Sequence, residues 1–110
     1  MIFLSQPAET TARSPLWPAA RAHHLALHPT CAACGTSWFV AVHHVKTFFE
    51  HPELELDPAN LLSLCEGPIK RHHLKVGHTV NGHSSWSISN PDARLLAEQM
   101  LDAKLRKGPR

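Results

Sequence analysis

The stretch CAACGTSWFVAVHHV (residues 31–45) decides the fold. It joins a two-cysteine turn to an apolar run that ends in two adjacent histidines. Cys31 and Cys34 hold two thiol groups on one tight turn, which is a common half of a tetrahedral zinc site. The apolar run after them is rich in β-formers and predicts a strand. Because side chains alternate between the two faces of a strand, we expect His43 and His44 to point in different directions.

The composition bounds the class of protein. The chain has 110 residues, a formal net charge of +2, and ten histidines beside three cysteines. This length suits one small domain with a thin core, which metal ions often reinforce. An odd number of cysteines argues against a closed disulfide framework and favours reduced, metal-binding thiolates. No apolar run is long enough for a signal sequence or a membrane span, so we expect a cytoplasmic protein without membrane contact.

The second half of the zinc site is expected from Cys65 and from His72, seven residues later. Together with Cys31 and Cys34 they would form a closed site of three cysteines and one histidine, the pattern of a structural zinc. The alternative is that the cysteines are small buried apolar residues. A Cys-x-x-Cys turn before a strand is a poor core element, which favours the metal. On a helix His72 and His73 would diverge by about 100°, so one can reach the zinc while the other reaches a second metal.

The remaining patterns predict the other elements of an α+β domain. Strands are expected over residues 37–45 and 61–65, and a helical segment near Ile69. The dipeptide Asn81-Gly82 predicts a turn. Trp17, Trp38 and Trp86 are assigned to the core.

Two longer helices are expected at the ends of the domain. Ser14 is the predicted N-cap of the first, with Pro15 at its first helical position and His28-Pro29 at its end. Asn90-Pro91-Asp92 predicts the start of the last helix, whose apolar stripe is Leu95, Leu96, Met100, Leu101 and Leu105. We expect a flexible arm over residues 1–13, a single domain over 14–107 and a basic tail over 108–110.

Roughly residues 14–91 resemble the HNH endonucleases of the ββα-metal, or His-Me finger, type. The segment SPLWPAARAHHLALHPTCAACG is similar to the helix and knuckle that precede the core in one bacterial and phage branch. VHHVKTFFEHPELELDPANLLSLC is similar to that branch's first strand, loop and second strand. LCEGPIKRHH, followed by Gly77-His78, Trp86 and Asn90-Pro91, is similar to its widened last turn. The resemblance implies a small ββα-metal core with flanking N- and C-terminal helices, stabilised by zinc.

The resemblance also implies roles for individual residues. His44 is the general base, and Asn60 steadies the loop and orients that base. A catalytic divalent ion is held by His43 and His73. The structural zinc ligands are Cys31, Cys34 and Cys65, with His72 at a position where the family usually has a cysteine. His78 could add a further ligand or a phosphate contact.

Such a site suits the hydrolysis of DNA phosphodiester bonds, by nicking or by double-strand cleavage, and the resemblance implies 5′-phosphate and 3′-hydroxyl ends. A neutral imidazole can take a proton from the attacking water, and a metal ion can stabilise the transition state and the leaving oxygen. Mg²⁺, Mn²⁺, Ni²⁺ or Zn²⁺ could serve as that ion. Phosphate contacts are expected from Lys46, Lys70, Arg71 and Lys75, each of which could instead be a solvated surface charge. Cleavage of both strands needs either a homodimer or two encounters.

Two other functions remain open at this point. A catalytically silent zinc module that binds nucleic acid or protein would keep the cysteines, but it would not need His44, Asn60 and His73 together. A histidine-rich storage or sensor protein would cluster its histidines without regard to strand and loop positions.

Overall fold

The computed structural model describes residues 12–107, which form a small mixed α/β domain with two α-helices and two short antiparallel sheets. Most of the predicted arm, residues 1–11, and the predicted tail, residues 108–110, lie outside the described residues. Within the described part of the chain, no helix is long and apolar enough to cross a membrane.

The central element is an antiparallel pair of strands, β1 (Val40–His44) and β2 (Leu61–Cys65), with Val40 opposite Cys65. The predicted bounds of β2 are confirmed, and all five of its residues are buried. The first strand begins three residues later than predicted, because Phe39 has a φ of 50°. That left-handed conformation is incompatible with an extended strand.

Helix α1 (Trp17–Leu27) begins later than predicted. Its N-cap is Leu16, and the Ser14 hydroxyl instead accepts a hydrogen bond from the Leu16 amide at 3.0 Å, closing the turn that leads into the helix. The end of the helix agrees with the prediction, since His28, which precedes Pro29, has already left the helical conformation.

Helix α2 (Ala93–Lys107) follows the predicted start signal, where Asn90 Oδ1 accepts a hydrogen bond from the Asp92 amide at 2.9 Å. The predicted apolar stripe is only partly right. Ala93 and Ala97 are the buried positions, with Leu96 and Met100 packed beside them, whereas Leu95 and Leu105 are exposed. The two alanines belong to the same core cluster as the cysteine turn, because their small side chains allow the helix backbone to come close to it.

The segment between β2 and α2 departs most from the prediction. Ile69 is exposed on a turn, and the helical segment is a five-residue π-helix, π1 (His73–Gly77), that begins four residues later. A short hairpin then forms from β3 (Thr79–Val80) and β4 (His83–Ser84). Both residues of its Asn81-Gly82 turn have positive φ, as a type I′ turn requires.

The assignment of all three tryptophans to the core is wrong. Trp38 and Trp86 are exposed, and Trp17 is half-buried. Trp38 precedes the left-handed Phe39, which turns the chain before β1 begins. Trp86 lies beyond the β3–β4 hairpin, where it packs against histidine rings rather than aliphatic side chains.

Candidate metal centres

The three cysteines and His72 form one cluster, in which all four candidate ligand atoms lie within 4.8 Å of one another. His72 Nδ1 lies 3.6 Å from Cys31 Sγ and 3.5 Å from Cys65 Sγ. With Zn–S of about 2.3 Å and Zn–N of about 2.0 Å, tetrahedral coordination separates sulfur and nitrogen by about 3.5 Å. The donor set and its spacing therefore fit one zinc ion with no open position, which we call the closed site.

Two local features bring His72 to this cluster. Arg71, directly before it, has a φ of 49°, and π1 begins directly after it. A left-handed residue other than glycine costs roughly 1–2 kcal/mol, so the surrounding contacts must hold the turn in place. The imidazole reaches the sulfurs through Nδ1, the ring nitrogen nearer to the backbone. Because this nearer nitrogen is the one used, a histidine fits at a position where the family that the chain resembles usually has a cysteine.

The sulfur atoms of the closed site are buried and unpaired by disulfides. Burial raises the pKa of the Cys31 thiol to about 11, against the opposing effect of the Ala33 amide, which donates to Cys31 Sγ at 3.4 Å. Burial also opposes ionisation of Cys34, but hydrogen bonds from the Thr36 backbone and the Cys31 side chain outweigh it and lower the pKa of Cys34. Backbone donors aimed at buried sulfur are the environment that metal-bound thiolates need.

A second cluster contains His43, His73 and His78, whose candidate ligand atoms also lie within 4.8 Å of one another. Within it, His73 Nε2 and His78 Nε2 are 3.3 Å apart. The opposite ring nitrogens have acceptors: His73 Nδ1 donates to Glu66 Oε1 at 2.7 Å, and His78 Nδ1 donates to the Ile88 carbonyl at 2.5 Å.

When both rings are neutral with the proton on Nδ1, each Nε2 carries a lone pair that faces the other. Two lone pairs at this distance repel unless a cation lies between them. Two imidazole nitrogens on a tetrahedral ion, at about 2.0 Å each, are about 3.3 Å apart. The donors therefore fit a metal ion, and we call this cluster the open site.

The π-helical turn explains why His78 joins the open site. On an α-helix, residues five apart differ in direction by about 140°. In π1 the hydrogen-bond step is five residues instead of four, so His78 lies about one turn above His73. The sequence offered His78 only as a further candidate, because its spacing alone does not decide its role.

His43 is held in the open site by a close approach to Gly77. A Cβ atom at Gly77 would lie 2.9 Å from His43 Cε1 and 3.0 Å from each ring nitrogen, so only glycine fits there. Burial, with the neighbouring His78, His73 and His44, lowers the pKa of His43 to about 3. The imidazole is therefore neutral at physiological pH, as a metal ligand must be.

Glu66 is a functional candidate that the sequence analysis missed. Its carboxylate fixes the ring of His73, the arrangement in which outer-shell partners orient metal-bound histidines. A signal for it exists in the chain: Glu66 precedes His73 by seven residues, as Cys65 precedes His72. Cys65 thus contacts His72, and Glu66 contacts His73.

His44 points away from the open-site ligand on the neighbouring residue, as the alternation of a strand predicts. Its Nε2 donates to the Glu55 carbonyl at 3.0 Å, and its ring packs against Trp17 with the centroids 4.6 Å apart. Nδ1 is then left with a lone pair that can accept a proton. Burial lowers the pKa of His44, and the nearby Arg13 cation acts in the same direction against the Glu55 carbonyl.

Asn60 is buried and acts on the loop rather than directly on His44. Its side-chain oxygen accepts from the Lys46 amide at 2.7 Å, and its amide nitrogen donates to the carbonyls of Lys46 and Leu54 at 3.0 and 3.3 Å. The predicted steadying role agrees with these bonds. The Glu55 carbonyl, which holds the His44 ring, lies on the loop that Asn60 closes, and the orienting role of Asn60 stays a prediction.

One cleft of about 430 Å³ contains the open site and His44. Its wall includes His43, His44, His73, His78, Arg13, Phe48 and Trp86. A larger depression of about 660 Å³ shares Thr47, Phe49 and Trp86 with it and includes Lys46. The larger depression contains none of the metal-site histidines, so the smaller cleft is the candidate site.

The cations predicted to contact phosphate occupy different places. Lys46 lines the larger depression, and Lys70 lines an apolar recess beside Trp38 and Phe39. Arg71 and Lys75 are exposed and line neither the cleft nor the larger depression. Arg13, which the sequence analysis left in the flexible arm, is the arginine that lines the cleft.

Comparisons of the chain with protein-family models, with curated proteins and with solved structures found no match. The ββα-metal fold and the HNH family therefore stay predictions, and the two metal sites rest on the geometry of the chain itself.

Proposed function

We propose that the protein is a metal-dependent HNH endonuclease that hydrolyses DNA phosphodiester bonds. One observation carries this proposal: His44, with one ring nitrogen committed to a carbonyl and the other able to accept a proton, lines the same cleft as the three histidines of the open site. A general base and a metal site with free coordination positions are the two groups needed to activate water for attack on a phosphodiester.

The base in this scheme is His44. Its Nδ1 takes the proton from the attacking water, while Nε2–H stays bonded to the Glu55 carbonyl. That bond keeps the ring in one orientation and stabilises the positive charge that the ring gains. Its lowered pKa keeps the imidazole neutral at physiological pH, ready to accept the proton. General-base assistance of this kind is worth roughly 10²–10⁴-fold in rate.

The open site serves the phosphate. An ion held by His43, His73 and His78 would stabilise charge on the phosphate oxygens and on the leaving 3′ oxygen. The protein's own contribution is to fix the ring orientations, through Glu66 for His73 and through the Ile88 carbonyl for His78. Three protein ligands leave positions for substrate, whereas the four ligands of the closed site leave none. We therefore assign the closed site to stability and the open site to chemistry.

DNA is proposed as the substrate because of the resemblance and because a larger depression that contains Lys46 shares Thr47, Phe49 and Trp86 with the cleft. A backbone of phosphates could follow the two neighbouring depressions past the open site. The remaining cations would add affinity without reading sequence.

Supercoiled-plasmid cleavage tests the proposal. Zinc-loaded protein is given Mg²⁺, Mn²⁺, Ni²⁺ or additional Zn²⁺ separately, and wild type is compared with His44→Ala. The matched control is His23→Ala, which removes an exposed histidine of α1 outside the cleft. We expect nicking by wild type and the control, and a rate lower by about 10²–10⁴-fold in His44→Ala. If folded, zinc-loaded wild type cleaves with none of these ions, the silent zinc-binding module replaces the nuclease.

A further inference from the structure

We infer that Arg13 is a phosphate-binding residue of the cleft that contains the open site and His44. Its guanidinium binds a phosphodiester of the nucleic-acid backbone beside His44. The inference rests on the proposed function and names a residue that the sequence analysis assigned no role. Arg13 lines the cleft together with the four histidines.

The guanidinium of Arg13 is held in a fixed orientation. Its Cζ lies 4.1 Å from the centroid of the Phe48 ring and 5.6 Å from that of Trp17. Its Nη1 lies 3.5 Å from Glu55 Oε2. Stacking on an aromatic ring and pairing with a carboxylate both restrict the rotamers of Arg13 before a ligand binds. Less rotamer freedom is therefore lost on binding.

Contacts with the described residues leave most of the hydrogen-bonding capacity of this guanidinium unused. Arginine has five N–H donors, and within residues 12–107 the acceptor found for them is Glu55, at the long distance of 3.5 Å. The side chain is 48% exposed although it lines the cleft. A planar fork with free donors matches two oxygens of a phosphate.

The competing explanation is that Arg13 serves only as the counter-ion of the buried Glu55 carboxylate. That carboxylate already accepts a hydrogen bond from the Ser14 amide at 3.1 Å. An arginine acting solely on Glu55 would not need to face the cleft. The two explanations differ in a measurable way, because only a phosphate contact changes how DNA binding responds to salt.

The experiment measures binding of a short fluorescent DNA duplex by anisotropy at several salt concentrations, in a His44→Ala background that slows cleavage by the expected factor of about 10²–10⁴. Loss of one phosphate contact reduces the slope of log K against log[salt] by about 0.9. We expect this reduction in Arg13→Gln and no change in Arg21→Gln, a control at an exposed arginine of α1. Arg13→Lys keeps the charge and the slope but loses the fork, so its affinity falls.

Melting temperature, zinc content and plasmid cleavage are measured on the same substitutions in the wild-type background. An unchanged salt slope in folded Arg13→Gln overturns the inference. If Arg13→Gln does not fold, Arg13→Lys is the test variant. A lower cleavage rate in Arg13→Lys, with the same melting temperature as wild type, supports the inference, and an unchanged cleavage rate overturns it.

The failure of each proposal has its own result. If wild type cleaves DNA and Arg13→Gln is also fully active and binds DNA normally, the nuclease proposal is kept and the role of Arg13 is rejected. Wild type that never cleaves rejects the nuclease, and the salt slope still decides whether Arg13 contacts phosphate.

Discussion

The two candidate metal sites of this protein are built from neighbouring residues but differ in how they meet the solvent. The closed site contains three buried cysteines and one half-buried histidine, and its four donors are enough for one tetrahedral zinc ion. The open site contains three histidines on the wall of a cleft.

The difference teaches that the number of ligands and their burial, rather than proximity in the chain, distinguish the closed site from the open one. Cys65 and His72 belong to one site, while the next residues along, Glu66 and His73, belong to the other. Alternation at the end of a strand and rotation at the start of a helical turn send the adjacent side chains in different directions.

The largest expected effect comes from breaking the closed site. Cys34→Ser should lose zinc and fail to fold, because structural zinc can supply roughly 10–16 kcal/mol of apparent folding free energy. A small domain has only about 5–15 kcal/mol of total stability. Zinc content and a circular dichroism melt measure the result, with Ser37→Ala as an exposed control on the same loop. A folded, zinc-free Cys34→Ser would show that the closed site does not support the fold.

A smaller effect on stability, but a complete effect on the open site, is expected from Gly77→Ala. The added Cβ would meet the His43 ring at 2.9–3.0 Å, so the ring must move, at a cost of about 1–3 kcal/mol. In titration calorimetry of zinc-loaded protein with Ni²⁺, the binding of Ni²⁺ to the open site should then be lost.

Gly82→Ala is the matched control for that substitution. Its backbone has a φ of 79°, but nothing lies within 4 Å of the added Cβ, so it costs roughly 1–2 kcal/mol of strain without touching the open site. Equal loss of Ni²⁺ binding in both variants would contradict the role of Gly77.

The smallest effect is expected from Glu66→Gln. The substitution weakens the charge-assisted bond to His73 and should reduce affinity for the second ion by about 10–100-fold, with the closed-site zinc retained. Glu98→Gln, at an exposed position of α2, is the control. Ni²⁺ titration measures the affinity, and an unchanged value would mean that His73 needs no carboxylate partner.

Local patterns predicted the parts of the fold that local chemistry determines. The bounds of β2, the Asn81-Gly82 turn and the two halves of the closed site follow from short spacings in the chain. The two halves could be joined in advance because Cys65 is the remaining cysteine of the chain. The α-helical assumption failed for π1, since nothing in its five residues distinguishes a π-turn from an α-turn. The predicted first strand was too long because the left-handed conformation of Phe39 has no marker in its sequence.

The parts of the site that the sequence could not provide are contacts between distant segments. Arg13 reaches the cleft through Glu55, 42 residues away, and Ser89 Oγ comes within 3.5 Å of His43 Nε2 across 46 residues. Such contacts depend on how complete elements pack, not on periodicity. Glu66 is different, because its spacing from His73 repeats that of Cys65 from His72 and could have been noticed.

That repeated spacing has a consequence for the order in which the protein matures. When zinc joins Cys65 to His72, it closes residues 66–71 into a short loop, and Glu66 and His73 meet at the base of that loop. A zinc ion in the closed site would thus act as a template for the open one. A newly made chain without that zinc would lack the scaffold for the second ion, and the centre that we propose to cut DNA would be assembled only after the first metal is in place.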